Sequence, residues 1–334
     1  MSVLFRLIRN KWISPPKDVK ESYTGRNIIV TGATSGIGLE AVVKFAQQGA
    51  SKVIIAARDL SRGEAVRADI ASRTGKYDQL EVWELDMNSF PSVVAFAQRA
   101  QSLEHLDIAV LNAGIRRVPF VQSKHGWEED LQVNTLSTAL LGILLLPKLK
   151  DSKRFTGKIP TLEFVNSGLH QGVKIKPAAV EAKNILQTYN TQELFSPQHQ
   201  YAISKLFLMF ATNKLAEETS SSEVIITSIC PGMVATGLAR DVKFPGVTIV
   251  LAIVSFLLLK APEAGARLIT SGIAQGERIH GRFWQHDKIQ PIAPSLTGEK
   301  NKEIALRVWN EIVEILEKEV PSTRDVLAGI TRNT

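Results

Sequence analysis

Cysteine is almost missing: Cys230 alone stands in 334 residues, which excludes an internal disulfide framework and points to a reducing, cytoplasmic setting. It closes the apolar run Val224-Ile225-Ile226-Thr227-Ser228-Ile229, where a buried, inert thiol is expected. With six histidines and neither an HxH nor a CxxC pair, the chain offers no zinc site and no metal is expected. No block of Lys or Arg interleaved with aromatics marks a nucleic-acid groove, although a formal charge of +7 and a pI near 9.4 permit loose association with anionic surfaces. Missing too is a clean apolar run of the roughly 20 residues a membrane-spanning helix needs. Phe244 to Leu259 has 16 uncharged residues between Lys243 and Lys260 but contains Pro245 and Gly246, so it is expected to be buried or to cover a pocket. Leu136 to Leu146 is shorter still and reads as a helix buried on most sides.

No linker rich in Pro, Gly or Ser divides the chain, and no internal repeat is visible. The expectation is an N-terminal extension, 1–23, followed by one domain, 24–334. The start, Met1 to Ile13, is basic and amphipathic, ends at Pro15-Pro16 and lacks the apolar core of a secretory signal. A helix packed on the domain is the plain reading, with peripheral membrane contact as the alternative.

What is present is a rhythm of apolar strand, turn and helix. Ile28 to Val30 leads into Thr31-Gly32-Ala33-Thr34-Ser35-Gly36-Ile37-Gly38 and a helix over Leu39 to Gln48. Lys52 to Ala57, Leu80 to Leu85 and Leu106 to Leu111 read as further strands, with helices over Ser61 to Arg73 and Phe90 to Glu104. A long helix from Trp127 to Leu149, strands at Thr161 to Val165 and Val224 to Ile229, and a short strand near Gly281 to Trp284 follow. A tail helix over Asn301 to Glu319 should cover one end of the sheet. The alternation predicts an α/β, Rossmann-type, doubly wound parallel sheet with right-handed crossovers, substrate-binding insertions and a C-terminal helix.

The first glycine turn is a seat for phosphate. Glycines let the backbone tighten and approach a pyrophosphate, while unpaired amides at the helix start supply donors. Further on, Tyr201-Ala202-Ile203-Ser204-Lys205 sets a phenol and an ammonium one helical turn apart, with Ser167 upstream. These parts suit moving a proton while a bound nucleotide moves a hydride. Asn134 lies in the apolar helix Leu131 to Leu136, where an amide is costly unless bonded. His170 and His199 flank a long mixed segment and could approach a substrate; His105 and His125 are expected on helix surfaces. Trp127, Trp284 and Trp309 are expected as packing anchors.

In this order, the residues resemble the short-chain dehydrogenase/reductase family over about 24 to 285, and within it the retinol-dehydrogenase-like members and fungal secondary-metabolism reductases. The resemblance implies a glycine motif of Thr31, Gly32, Gly36 and Gly38, with Thr34, Ser35 and Ile37 in the same turn. It implies an adenine contact at Asp86 beside Met87, a motif Asn112-Ala113-Gly114, and a nicotinamide border at Pro231, Gly232, Val234 and Thr236. It carries over a catalytic tetrad of Asn134, Ser167, Tyr201 and Lys205: Tyr201 the proton carrier, Ser167 a donor to the substrate oxygen, and Lys205 a contact of the nicotinamide ribose that favours the phenolate. Asn134 would hold a water linking Lys205 to solvent. One departure stands out. Tyr201 follows Ser167 by 34 positions, more than the family's usual dozen or so, which requires an insertion.

Cofactor choice should be set after the second strand. Arg58 can pair with a 2′-phosphate where an acid would accept the ribose hydroxyls, so NADP or NADPH is expected, with Asp59 as a complication. Apolar residues of 244–259, with Phe195 and Leu169, suggest a bulky, weakly polar ketone, aldehyde or alcohol. The pocket segments are expected near 170–199 and 234–262, in a monomer or homodimer. The expected function is NADP(H)-dependent carbonyl–alcohol interconversion in fungal polyketide or terpenoid biosynthesis. An isomerase, dehydratase or cyclase on the same fold is the alternative.

Overall fold

A computed structural model describes residues 8–236 and 258–331. Most of the apolar run Phe244 to Leu259 therefore lies outside the described residues. Eight strands run in the order β3-β2-β1-β4-β5-β6-β7-β8. They are β1 Asn27–Thr31, β2 Lys52–Ala57, β3 Leu80–Glu84, β4 Ile108–Leu111, β5 Thr161–Val165, β6 Ile225–Cys230, β7 Phe283–Gln285 and β8 Lys288–Ile289. The first seven are parallel, and β8 returns antiparallel to β7.

Helices cover both faces: α1 Gly36–Gln47, α2 Leu60–Thr74, α3 Phe90–Gln101, α4 Glu129–Thr156, α5 Pro177–Glu181, α6 Ile185–Tyr189, α7 Pro197–Glu217, α8 Pro262–Ile273, α9 Glu299–Glu319 and α10 Ser322–Thr331. Strand alternation sorts the core. Ile28 and Val30 face α1 and α8, while Ile29 faces α3, α4 and α7. Each fully buried side chain of this size contributes about 1.5–3 kcal/mol. The α4 helix is long and apolar enough to span a membrane, but 89% of its apolar window is buried in the protein, as a central core helix requires.

Two boundaries differ from the sequence reading. Residues 16–23 belong to the packed domain rather than to an extension: Tyr23 is fully buried against Phe45, Asp18 pairs with Lys44, and Lys17 N donates to Asp287. Before them, Arg9–Ile13 forms a short helical turn with Trp12 and Ile13 exposed. The helix expected from Trp127 starts at Glu129, runs on to Thr156 and carries a π-helical stretch at Gln132–Ser137. Neither His105 nor His125 lies on a helix: both sit in loops, His105 bonded to Asp107 and His125 accepting from Phe90 N.

Candidate active site

At the end of β1 the chain turns so tightly that it must be glycine. Gly32 has φ +63°, and a Cβ there would lie 2.9 Å from Ala113 Cα. A Cβ on Gly38 would lie 2.5 Å from both Asn112 Nδ2 and Gly32 O. Asn112 braces this turn by donating to Thr31 O (2.9 Å) and Gly32 O (3.3 Å), and Ala113 N donates to Thr31 Oγ1 (2.9 Å). The Asn112 side chain is thus spent on the turn itself. At the start of α1, Ser35 makes no side-chain cap bond, so the first amides of a 12-residue helix are left without one. The loop after β6 reaches the same place: Thr236 Cγ2 stands 3.2 Å from a Cβ built on Gly36, and Val234 and Ile37 both pack on Gly265.

These residues fit a dinucleotide. Uncapped amides and a side-chain-free approach at Gly32 and Gly36 suit a pyrophosphate. Arg58 is exposed just past β2. Asp59 beside it is exposed too, and its carboxylate caps α2, accepting from Arg62 N at 3.0 Å. Asp86, just past β3, accepts from Asn88 N at 3.0 Å, and Met87 beside it is buried.

The proposed tetrad converges at the carboxyl ends of β4 and β5. Ser167 follows β5 after Asn166, and across the 34-position gap its side chain lies near enough to Tyr201 to lower the phenol's affinity for its proton. The gap is taken up by residues 168–196, which include α5 and α6 and return to α7. Tyr201 and Lys205 share the first half of α7, and both are buried. Asn134 sits in the π stretch of α4, where Nδ2 donates to Ile115 O (2.8 Å) and Ser204 Oγ (3.0 Å), and Oδ1 accepts from Ile115 N (2.9 Å). Such stretches recur at functional sites because they redirect backbone groups. A Cβ on Gly114 would lie 3.1 Å from Asn134 Oδ1 and 3.5 Å from Lys205 Nζ, which brings the third motif onto the same spot.

The Lys205 ammonium donates to Val165 O at 2.9 Å, and in the protein alone burial dominates both Tyr201 and Lys205. Desolvation pushes Tyr201 well above the usual phenol range, with nearby Cys230 and Asp130 adding to it and Ser167 and Arg116 opposing. Desolvation also draws Lys205 down to about 8, against the charge of Asp130.

The histidines take structural places. His170 is buried and edge-on to Phe283, its Nδ1 is 2.7 Å from Ser167 O, and burial lowers its affinity for a proton. His199 stacks on Tyr189. Trp284 is buried on the α8 side and donates to Ser271 Oγ. Phe195 meets Phe120 edge-to-face, and Leu169 is exposed beside Ser167. A cleft of about 530 Å³ among Lys52, Glu81, Arg99 and His105 opens at the amino ends of β1–β3, the opposite end of the sheet.

One group was read from the sequence only as a buried, inert thiol, and another escaped the reading. Cys230 Sγ is buried at the site and accepts from Gly168 N, Gly232 N and Gln285 Nε2, tying the loops after β5 and β6 together; burial raises its thiol. Asp130 is fully buried in α4, one turn before Asn134. A carboxylate four residues before Asn134 on an apolar helix was a readable signal for it.

The comparisons agree with this geometry. The sequence profile of the short chain dehydrogenase family matches residues 26–168. Short-chain dehydrogenase/reductase phmF of Phaeosphaeria nodorum is 36% identical over 320 residues, covering 95% of this chain and 94% of its own. Short-chain dehydrogenase/reductase ffsI of Aspergillus flavipes is 35% identical over 325 residues, again 95% and 94%. In fold, the chain is similar to a Sphingobium yanoikuyae short-chain dehydrogenase in complex with NADPH, with TM-score 0.56 and 19% identity, covering 75% of this chain and 84% of that one. It is also similar to a 3-ketoacyl-(acyl-carrier-protein) reductase from Brucella melitensis complexed with NADH, with TM-score 0.59 and 21% identity, covering 78% and 96%. With relatives this similar over nearly its whole length, and with the glycine turn and the Ser-Tyr-Lys cluster at the carboxyl edge of a parallel sheet, the chain belongs to the short-chain dehydrogenase/reductase family of oxidoreductases.

Proposed function

We propose that the protein interconverts a bulky, largely apolar ketone or aldehyde with its alcohol, using NADP(H), within fungal specialised metabolism. The observation that carries this is the gathering of Ser167, Tyr201 and Lys205 at the carboxyl ends of β4 and β5, with Asn134 bonded to Ser204 beside Lys205. Gly32, Gly36 and the first amides of α1 would hold the pyrophosphate, Arg58 the 2′-phosphate, and Val234 and Thr236 the nicotinamide side. When bound, the nicotinamide supplies or accepts the hydride.

The chain's own residues handle the proton. In reduction Tyr201, held as a neutral phenol by burial, donates to the substrate oxygen while Ser167 hydrogen-bonds the same oxygen and fixes the carbonyl. Lys205 replaces the lost proton through the region of Asn134. Phe120, Phe195 and Leu169 offer the apolar contact for the substrate. The Phaeosphaeria and Aspergillus relatives support the fungal setting.

The test follows the near-ultraviolet absorbance of NADPH against a panel of bicyclic and aryl ketones, with NADH in parallel. Consumption of NADPH with formation of alcohol is expected. Product formed without cofactor consumption would favour a non-redox enzyme and overturn the reading.

A further inference from the structure

Asp130 lies one turn before Asn134 in α4 and is fully buried. Its Oδ1 accepts from Arg117 N at 2.9 Å, while Oδ2 has no hydrogen-bond partner among the described residues. A carboxyl kept only to pin Arg117 would need one oxygen, and an asparagine would serve at far lower desolvation cost. The acids beside it are engaged elsewhere. Glu128 accepts from Asp130 N, Leu131 N and Gln200 Nε2, and Glu129 pairs with Arg117 and accepts from Asn88.

Across the interface stands α7. Thr135 Oγ1 donates to Ser204 O (2.9 Å) and Asn134 Nδ2 to Ser204 Oγ (3.0 Å), so the two helices are locked at the residue before Lys205. Glu128, two residues before Asp130, accepts from Gln200 Nε2 at 2.8 Å, so Asp130 lies between two bonds that seat this turn of α4 on the stretch of α7 carrying Tyr201 and Lys205; its charge there favours the Lys205 ammonium and the Tyr201 phenol.

We propose that Asp130 is a positioning residue for the catalytic pair, its buried carboxyl holding Lys205 as the ammonium and Tyr201 as the phenol from within α4. The inference rests on the reductase reading and deepens it. Burial, together with Glu128, pushes Asp130 up to about 8, while Arg117 and Lys205 oppose the rise. Burial draws Lys205 down to about 8, with Asp130 and Cys230 opposing. The two titrate as a pair. As pH rises into this range the carboxyl gains its negative charge where the ammonium would otherwise be lost, and that charge retains the ammonium. It also makes the Tyr201 proton harder to remove. Without the charge, both protons leave at lower pH.

The test is Asp130→Asn, which keeps an oxygen for Arg117 N. In protein carrying 13C-labelled lysine, without added cofactor, the Lys205 resonance is assigned by its loss in Lys205→Arg and titrated by NMR. Its midpoint is expected to fall by about one pH unit in Asp130→Asn, and the high-pH limb of ketone reduction to move the same way. Superimposable titrations would overturn the proposal. Should Asp130→Asn not fold, the reciprocal experiment applies: the Asp130 carboxyl resonance in Lys205→Met should titrate at higher pH than in wild type, and an unchanged midpoint overturns it. The two ideas fail differently. If no ketone consumes NADPH yet the Lys205 midpoint moves, only the reductase reading fails; if NADPH is consumed and the midpoints coincide, only the coupling fails.

Discussion

Arg58 and Asp59 are exposed neighbours with opposite charges past β2; the Asp59 carboxylate accepts from the amide of Arg62, which leaves Arg58 as the group proposed to meet a 2′-phosphate. Replacing Arg58 with Ala should weaken NADPH binding about 10- to 100-fold, the worth of one or two charge-assisted bonds, and leave NADH binding nearly unchanged. Fluorescence titration with both nucleotides at one fixed salt concentration checks this, and equal losses for the two would remove Arg58 from the 2′-phosphate. At these positions the sequence was partly legible. Order and residue type pointed to Ser167, Tyr201, Lys205 and Asn134, and the structure brings them together. The bond from Lys205 to Val165 O joins residues 40 positions apart, and no local pattern announces it.

The strands were readable because a parallel sheet covered on both faces needs short, continuous apolar runs. Ile28 to Val30, Lys52 to Ala57 and Thr161 to Val165 all read this way. Less legible were β8, only two residues long, and the π stretch of α4, which depends on packing against α7. One strand residue breaks the apolar rule. Glu163, at the centre of β5, is fully buried with neither oxygen hydrogen-bonded among the described residues, and burial holds it well above the usual carboxylate range. The folded protein therefore keeps a proton that the unfolded chain releases near pH ~4.3. With the folded value raised, stability is fully present below that unfolded value and declines as pH rises above it. Glu163→Met, similar in volume and without polar atoms, should stabilise the fold by on the order of 1–3 kcal/mol at pH 8. The gain should shrink toward pH 4. Thermal melts across that range decide it, and a pH-independent difference would contradict the neutral buried carboxyl.

Between Ser167 and α7 the chain makes a long excursion that ends up bound to its own tail. Arg307 of α9 donates to Val180 O (2.9 Å) and Ala182 O (2.6 Å), and the Glu311 carboxylate accepts from Leu186 N (2.8 Å) and Gln187 N (2.7 Å), capping α6. Buried Ile304, Val308, Trp309 and Ile312 weld α9 to the same core as α4 and α7. The tail helix was legible from its apolar spacing, but its partner was not, since nothing in residues 170–199 marks a docking face. This arrangement gives the tail a hold on the segment that carries Leu169 and Phe195 while leaving the α7 groups alone. Arg307→Ala deletes two charge-assisted bonds of about 1.5–3 kcal/mol each at most, and their loss should loosen α5 and α6 without reaching Tyr201 or Lys205. The expected result is a several-fold higher KM for bulky ketones with kcat and the NADPH Kd within about twofold of wild type, as loss of uniform substrate binding requires. A fall in kcat at unchanged KM would instead mean that the tail reaches the proton-transfer groups themselves, and that the excursion is no part of the substrate wall.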